Sequence, residues 1–455
     1  MPAWQWAAQS TGSGVGQLKS LAVDAEGNTY QAGFFTETIR FGGTTLVSQG
    51  RSDMFVAKLS AAGTWEWAVA VGSAASDNAT GVAVDATGRI FISGSFSNQV
   101  HFGTTTLTSR GDMDVFVAQI TPKGTWKWAT AAGGPGLDRA CALATTDKGE
   151  LVVGGQFAQT AAFGTSRVVS HGGEDAFVAR LKPTGKWHWA IGVGSPGNDE
   201  ASAVAIDKAG DIYATGYFSD QAQFGGSTLT GKGMDDAFVG KLSKLGQWQW
   251  ATAATGTNTA YGKGLAVDPT GGVFVTGSFS GEAHFGLTQI ASNASDDGFV
   301  ARLDKTGQWQ WVSVLASEYM DNIVGIALDK TGKLFVAGSF SNTIDGGSFQ
   351  ITSRGQQDLF VGYLSRQGAW LGLASGGGAE TDETQALAMA PSGDVFIGGD
   401  FSSAATFGST QLQSGNMAAQ VCIGRASVPQ RKMETTLTDY KGLSGNALQY
   451  VSKRP

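Results

Sequence analysis

Residues 81–96, Gly81-Val-Ala-Val-Asp85-Ala-Thr-Gly88-Arg89-Ile-Phe-Ile-Ser-Gly-Ser-Phe96, read as two strands joined by a tight turn. On either side of Asp85-Ala-Thr-Gly88, large and small residues alternate at period two, the pattern of a strand packed on one face. Gly88 stands where such a turn calls for positive φ. Downstream, Asp114-Val-Phe-Val-Ala-Gln-Ile120 and Thr125-Trp-Lys-Trp-Ala129 repeat the arrangement around Thr121-Pro-Lys-Gly124. We label these four runs A (81–85), B (89–96), C (114–120) and D (125–129). The longer B–C link holds Phe102-Gly103 and reads as a small hairpin.

The whole unit recurs every 61 residues. Trp4, Trp65, Trp126, Trp187, Trp248, Trp309 and Trp370 keep that step, and Trp6, Trp67, Trp128, Trp189, Trp250 and Trp311 follow two residues on, with Gly372 breaking the last pair. These are all 13 tryptophans of the chain. The A–B turn glycines (Gly27, Gly88, Gly149, Gly210, Gly271, Gly332, Gly393) hold the register too. So do Phe41, Phe102, Phe163, Phe224, Phe285 and Phe407, Gly346 standing in for the sixth. Seven copies occupy residues 1–427 without insertion or deletion, leaving a tail at 428–455.

Short antiparallel strands in fours, repeated at this spacing, describe the blade of a β-propeller, and propellers run typically to four to eight blades. The expectation is therefore an all-β, seven-bladed ring. The chain opens on a D-type run, Trp4-Gln-Trp-Ala7, and its last repeat ends after a C-type run near Val421–Gly424. The N-terminal strand is thus expected to complete the last blade and close the ring, which is expected to be monomeric.

Composition narrows the function classes. Glycine is 67 of 455 residues, roughly twice ordinary usage, and charged residues are 15% against about 25%, which fits a turn-rich β protein. The formal charge of −7 disfavours nucleic acid as a partner, because its binders carry a basic footprint. No window approaches 18 apolar residues, so no membrane span is expected. Cys141 and Cys422 match no metal or redox spacing and read as small buried thiols. The start, Met1-Pro2-Ala3-Trp4, has neither a basic nor an apolar leader region, so the chain is expected to bypass the usual export route or to have lost a leader.

The unit Gly-x-x-x-x-Asp-x-Ala-x-x-Val-Ala-Val-Asp-x-x-Gly-x-x-Phe-x-x-Gly-x-Phe, seen as Gly72 to Phe96 and continuing through Phe102-Gly103, Asp114–Ala118 and Trp126-Lys-Trp128, resembles the bacterial seven-bladed β-propeller repeat of the SBBP type. The resemblance covers nearly all of residues 1–427. It implies an extracellular or cell-surface protein with no common catalytic site. The cytoplasm is the alternative that the missing leader leaves open.

Strands that alternate up and down put the A–B and C–D turns on one face and the B–C and D–A links on the other. The second face holds the longer, more varied segments, where a ligand is to be sought. An Asp recurs in the D–A position (Asp77, Asp138, Asp199, Asp321, Asp382; Gly16 and Ala260 in the others), and another before strand C (Asp53, Asp114, Asp175, Asp236, Asp297, Asp358). Recurrence in nearly every copy favours a structural reading, in which each carboxylate takes up backbone N–H groups, over a ring of cation or sugar ligands. Calcium is the one cofactor these carboxylates leave open, though no dense Asp-x-Asp-x-Asp-Gly run occurs; no metal ligands are assigned. The tryptophan pairs, both on one strand face, read as packing between blades rather than as sugar-stacking platforms.

Binding candidates are sought where the pattern breaks: Tyr261 and Lys263 in one D–A loop, Glu318, Tyr319 and Asp321 in the next, and Glu380, Asp382 and Glu383 in the one after. Four histidines (His101, His171, His188, His284) make no Ser/His/Asp or Cys/His constellation, so no catalytic residue is assigned. The tail carries a net charge of +3 and leaves −10 for the ring. The sequence thus points to a non-catalytic binding or display module that takes a protein or glycan ligand on its varied face. Protein–protein interaction or cell-surface recognition comes first. A lectin-like carbohydrate binder is the first alternative, and a lyase or hydrolase using carboxylates at the channel mouth is the second.

Overall fold

The computed structural model describes residues 2–293, 295–415 and 418–427. Among these no helix occurs, and so none long and apolar enough to cross a membrane. The chain is an all-β propeller in which antiparallel four-stranded sheets follow one another as simple meanders. In the first sheet Gly16–Val23, Thr29–Phe35, Asp53–Leu59 and Trp65–Val71 lie side by side in chain order. In the second, Asn78–Val84, Ile90–Phe96, Asp114–Ile120 and Trp126–Ala132 do the same. Runs A to D are therefore all strands. Strand A begins three residues before the expected start, and strand D runs three residues past the expected end.

At the C-terminal end, Glu383–Met389, Val395–Phe401 and Gln420–Ser427 pair in the same order, and the strand outside them is Ala3–Gln9. Ala3 sits opposite Ser427 and Gln9 opposite Cys422, with a bulge between Trp4 and Trp6. The B–C links do form small hairpins, as at Gln99–Phe102 and Thr105–Thr108. Several of these hairpins pair with the end of the preceding repeat's strand D: Ala254 faces Phe285 and Gly256 faces Ala283. One repeat's outer strand is thereby tied to the next repeat's loop.

The tight turns behave as their sequence requires. Every A–B glycine has φ between +77° and +91°, a region that costs other residues strain. The Asp at the head of the turn accepts the local N–H groups: Asp85 Oδ1 takes Thr87 N at 2.9 Å and Arg89 N at 3.0 Å.

The core lies between neighbouring sheets. Tyr30, Ala32 and Val56 of the first repeat pack with Ile90, Ile92 and Phe116 of the second, and Leu18 and Phe35 of the first pack with Phe396, Val421 and Ile423 of the last. The first tryptophan of each pair meets its own repeat's phenylalanine edge to face, as Trp309 does Phe285 at 5.0 Å and 82°. In several repeats its Nε1 donates to the preceding repeat, Trp309 to Ala253 O at 3.2 Å and Trp65 to Gln9 O at 2.9 Å. The second tryptophan covers the C–D turn of the next repeat. A Cβ on Gly307 would stand 2.7 Å from the Trp250 ring, so the turn needs glycine for this contact as well as for its φ.

Three expectations need correction. The two tryptophans of a pair do not share a strand face: a bulge between them, as at Trp309 and Trp311, turns the first to the preceding repeat and the second to the next. Tyr261 and Lys263 are not loop residues; they lie within the innermost strand Thr259–Val267, which Thr259 and Ala260 extend by pairing with Ser280 and Phe279. Glu383 is likewise the first residue of an innermost strand, not part of the link before it. The basic segment 428–455 lies outside the described residues.

Candidate functional site

The expected site residues divide into two groups. Glu318, Tyr319, Asp321, Glu380 and Asp382 lie in the D–A links. Asp321 is buried and accepts N–H groups from Ser317 and, at 3.2 Å, from Ser341 at the end of strand B. Asp382 does the same with Gly378 at 2.6 Å and Ser402 at 3.1 Å. Each carboxylate thus ties its link to the neighbouring strand end. Burial pushes both carboxyls up to about 7 against the N–H bonds that favour ionisation, with Asp297 and Asp358 respectively adding repulsion. These two groups face inward and hold loops.

Beside the exposed Glu318, two large apolar side chains also face solvent. Tyr319 is 59% exposed and Met320 is 54% exposed. They edge an open concavity of about 540 Å³ whose other walls are Ser295, Ser341, Asn342, Gly355 and Gln356. The Met320 carbonyl is held by Ser341 Oγ at 3.3 Å and by Gln357 Nε2 at 3.5 Å, so the loop is braced from beneath. Met320 was not among the residues selected from sequence, although it sits between two of them.

Of the second group, Tyr261, Lys263 and Glu383, Lys263 alone lines a separate cavity of about 200 Å³ between the innermost strands. In each strand A the ladder to strand B slips by one residue at the same repeat position, between Leu18 and Ser20, Ala140 and Ala142, Gly262 and Gly264, and so on. Such a bulge leaves one residue out of register and re-aims its side chain. The residues so placed are Lys19, Thr80, Cys141, Ser202, Lys263, Val324 and Gln385, and all of them line the cavity. Leu21, Leu143, Val204, Leu265, Ile326 and Leu387 line it as well.

Two residues ahead of the bulge, Tyr261 donates its hydroxyl to Asp235 at 2.8 Å and meets Tyr217 edge to face at 5.2 Å. Glu200, in the equivalent position, accepts from Ser202 at 2.8 Å, and burial pushes its carboxyl above the usual range. Burial likewise holds the Cys141 thiol well above its ordinary value, so it is protonated and a poor nucleophile. Only Lys263 of this ring was selected from sequence. The others carried a legible signal: one repeat position occupied by Lys, Thr, Cys, Ser, Lys, Val and Gln inside an otherwise constant run.

Among the described residues no group of three or more His, Cys, Asp or Glu is placed to hold a metal ion. His101 contacts Thr106 at 3.0 Å on an outer hairpin, and His171 contacts Asp175 at 3.1 Å.

No family model matches the chain. It is similar to the regulatory protein FlaEY of Caulobacter vibrioides, at 24% identity over 367 residues, 73% of this chain and 37% of that protein. It is also similar to the uncharacterized WD repeat-containing protein L264 of Acanthamoeba polyphaga mimivirus, at 20% identity over 211 residues, 38% of this chain and 15% of that one. The chain thus spans well under half the length of both relatives. Among solved structures it resembles the WD40 β-propeller domain of Doa1 (TM-score 0.46, 10% identity, 94% of this chain and 99% of that one). A quinohemoprotein alcohol dehydrogenase from Comamonas testosteroni is similar to the same degree (TM-score 0.46, 11% identity, 97% and 79%). Likenesses of that size add nothing to what the strand pairing already establishes.

Proposed function

We propose that the chain is a seven-bladed propeller, closed as a monomeric ring by its N-terminal strand, and that it acts without catalysis as a protein-binding module through the face of the D–A and B–C links. Closure is supported by the pairing of Ala3–Gln9 with Gln420–Ser427 and by the contact of strand Gly16–Val23 with strand Glu383–Met389. The binding reading rests on Tyr319 and Met320. An exposed aromatic beside an exposed methionine, over a concavity with polar walls, has the composition of an interface centre, where such residues are enriched and water is readily displaced. Similarity to a protein named as regulatory and to a WD-repeat protein agrees with this reading. The SBBP resemblance adds the proposal that the ring is displayed outside the cell or at its surface.

A photo-crosslinking phenylalanine analogue placed at residue 319, and in a second protein at Lys330 on the turn face, tests the reading. The expected result is one protein adduct from residue 319, competed away by unlabelled chain and lost with Met320→Ala. Adducts from residue 330 alone would overturn it. Glycan retention lost with Tyr319→Ala would favour the lectin form, and turnover lost with Asp321→Asn would establish an enzyme.

A further inference from the structure

The cavity between the innermost strands is distinct from the loop face and carries chemistry of its own. Two of its bulge residues are lysines, Lys19 and Lys263. Among the described residues, neither ammonium has a carboxylate within ion-pair distance. Lys19 lies over the Phe34 ring at 5.6 Å, a contact that leaves its charge uncompensated.

The acids nearby do not fill the gap. Asp400 is 5% exposed; one oxygen accepts Leu18 N–H at 2.7 Å and the other is buried with no partner. Burial pushes its carboxyl up to about 8 against the pull of Lys19, which weakens it as a counter-charge. Asp296 and Glu383 act on Lys263 at longer range, yet burial still holds its ammonium below the ordinary lysine range. Glu383 is itself solvent-exposed and accepts from Gln385 at 3.1 Å. Leucine, valine and isoleucine of the same strands line the cavity beside the lysines and the polar bulge residues.

We propose that this cavity binds a compact oxyanion, a small carboxylate or phosphate, held between Lys19 and Lys263. Its volume of about 200 Å³ suits a small metabolite. The bulge supplies the placement. Regular strands would leave residues 19 and 263 in register with strand B, whereas the slipped ladder delivers both to one cavity. The proposal stands apart from the protein-binding reading, since none of the loop residues Tyr319, Met320 and Asp321 lines this cavity.

Isothermal titration calorimetry of the full chain with inorganic phosphate and with citrate tests it. One saturable site per chain is expected for at least one probe; phosphate alone would name a phosphate ligand and citrate alone a carboxylate. The double variant Lys19→Met/Lys263→Met should weaken that site at least ~10-fold, about 1.4 kcal/mol. Lys263→Arg should retain it, as should the turn-face control Lys123→Met. If the double variant folds poorly, the ¹³C-dimethyl-lysine resonance of Lys263 in the wild-type chain should move on adding the probe. No saturable binding of either probe, or equal loss in Lys123→Met, would overturn the proposal.

Discussion

The sixth repeat offers an internal experiment on what the tryptophan–phenylalanine pair contributes. In the fifth repeat Trp309 meets Phe285 edge to face and donates to Ala253 O. In the sixth, Gly346 stands where the phenylalanine would be, and Trp370 Nε1 is buried with no partner among the described residues. The space is filled otherwise: Leu373 replaces the Ala or Val of the other repeats and is 1% exposed, and a Cβ on Gly346 would meet it at 3.0 Å. Consider Trp→Phe at each site. Both lose the same amount of ring. At 309 the change also removes a hydrogen bond of about 0.5–1.5 kcal/mol net. At 370 it removes an unsatisfied buried donor, whose burial costs about 1–3 kcal/mol. The two effects have opposite sign, so Trp309→Phe should be more destabilising than Trp370→Phe by about 1.5–4.5 kcal/mol. Urea unfolding measures this directly, provided the m-values of the two variants agree. Equal losses within about 0.5 kcal/mol, or the reverse order, would show that the indole N–H bonds between repeats contribute nothing and that only ring volume matters.

Two further outcomes are expected. Deleting residues 2–9 removes Trp4, which donates to Ser375 O at 2.8 Å, and Trp6, whose ring a Cβ on Gly63 would meet at 3.3 Å; the loss of an indole alone costs about 3–5 kcal/mol, so the truncated chain should melt far below the full one, and an unchanged melting temperature would refute the closure. For Asp321 and Asp382 the folded carboxyls, near 7, lie above the ordinary value of 3.8, so the folded state binds more protons between those limits and stability should fall as pH rises from about 4 to about 7; the melting temperature should decline across that window, less so in Asp321→Asn/Asp382→Asn, and a rise would contradict the burial argument.

Strand existence, turn type and the order of strands in each sheet were legible because each is a local matter. Gly27 and its equivalents declare positive φ, and runs such as Val115-Phe-Val declare alternation. The constant 61-residue step then turned one local reading into an architecture. Strand ends were less legible. Strand A begins at Asn78 rather than Gly81 because pairing with Gly94 and Ser95 continues past a bulge, and nothing in Asn78-Ala-Thr80 declares a strand on its own.

The bulge explains why the candidate site was only half visible. Alternation assigns each residue of a strand to one of two faces, and a residue outside that count has no face in a period-two reading. Lys263 was singled out because it is a lysine among small residues, but it was placed in a loop, where variation is expected. Thr80, Cys141 and Ser202 were passed over because each is unremarkable alone. Their shared position becomes meaningful only when the copies are compared column by column. The recurrent aspartates show the same logic from the other side: Asp77, Asp199, Asp321 and Asp382 each accept N–H groups from two segments, so constancy marks the scaffold. In a repeat protein the positions that differ while their backbone stays the same are free to carry function, and the bulge column of strand A meets that condition while also facing a cavity.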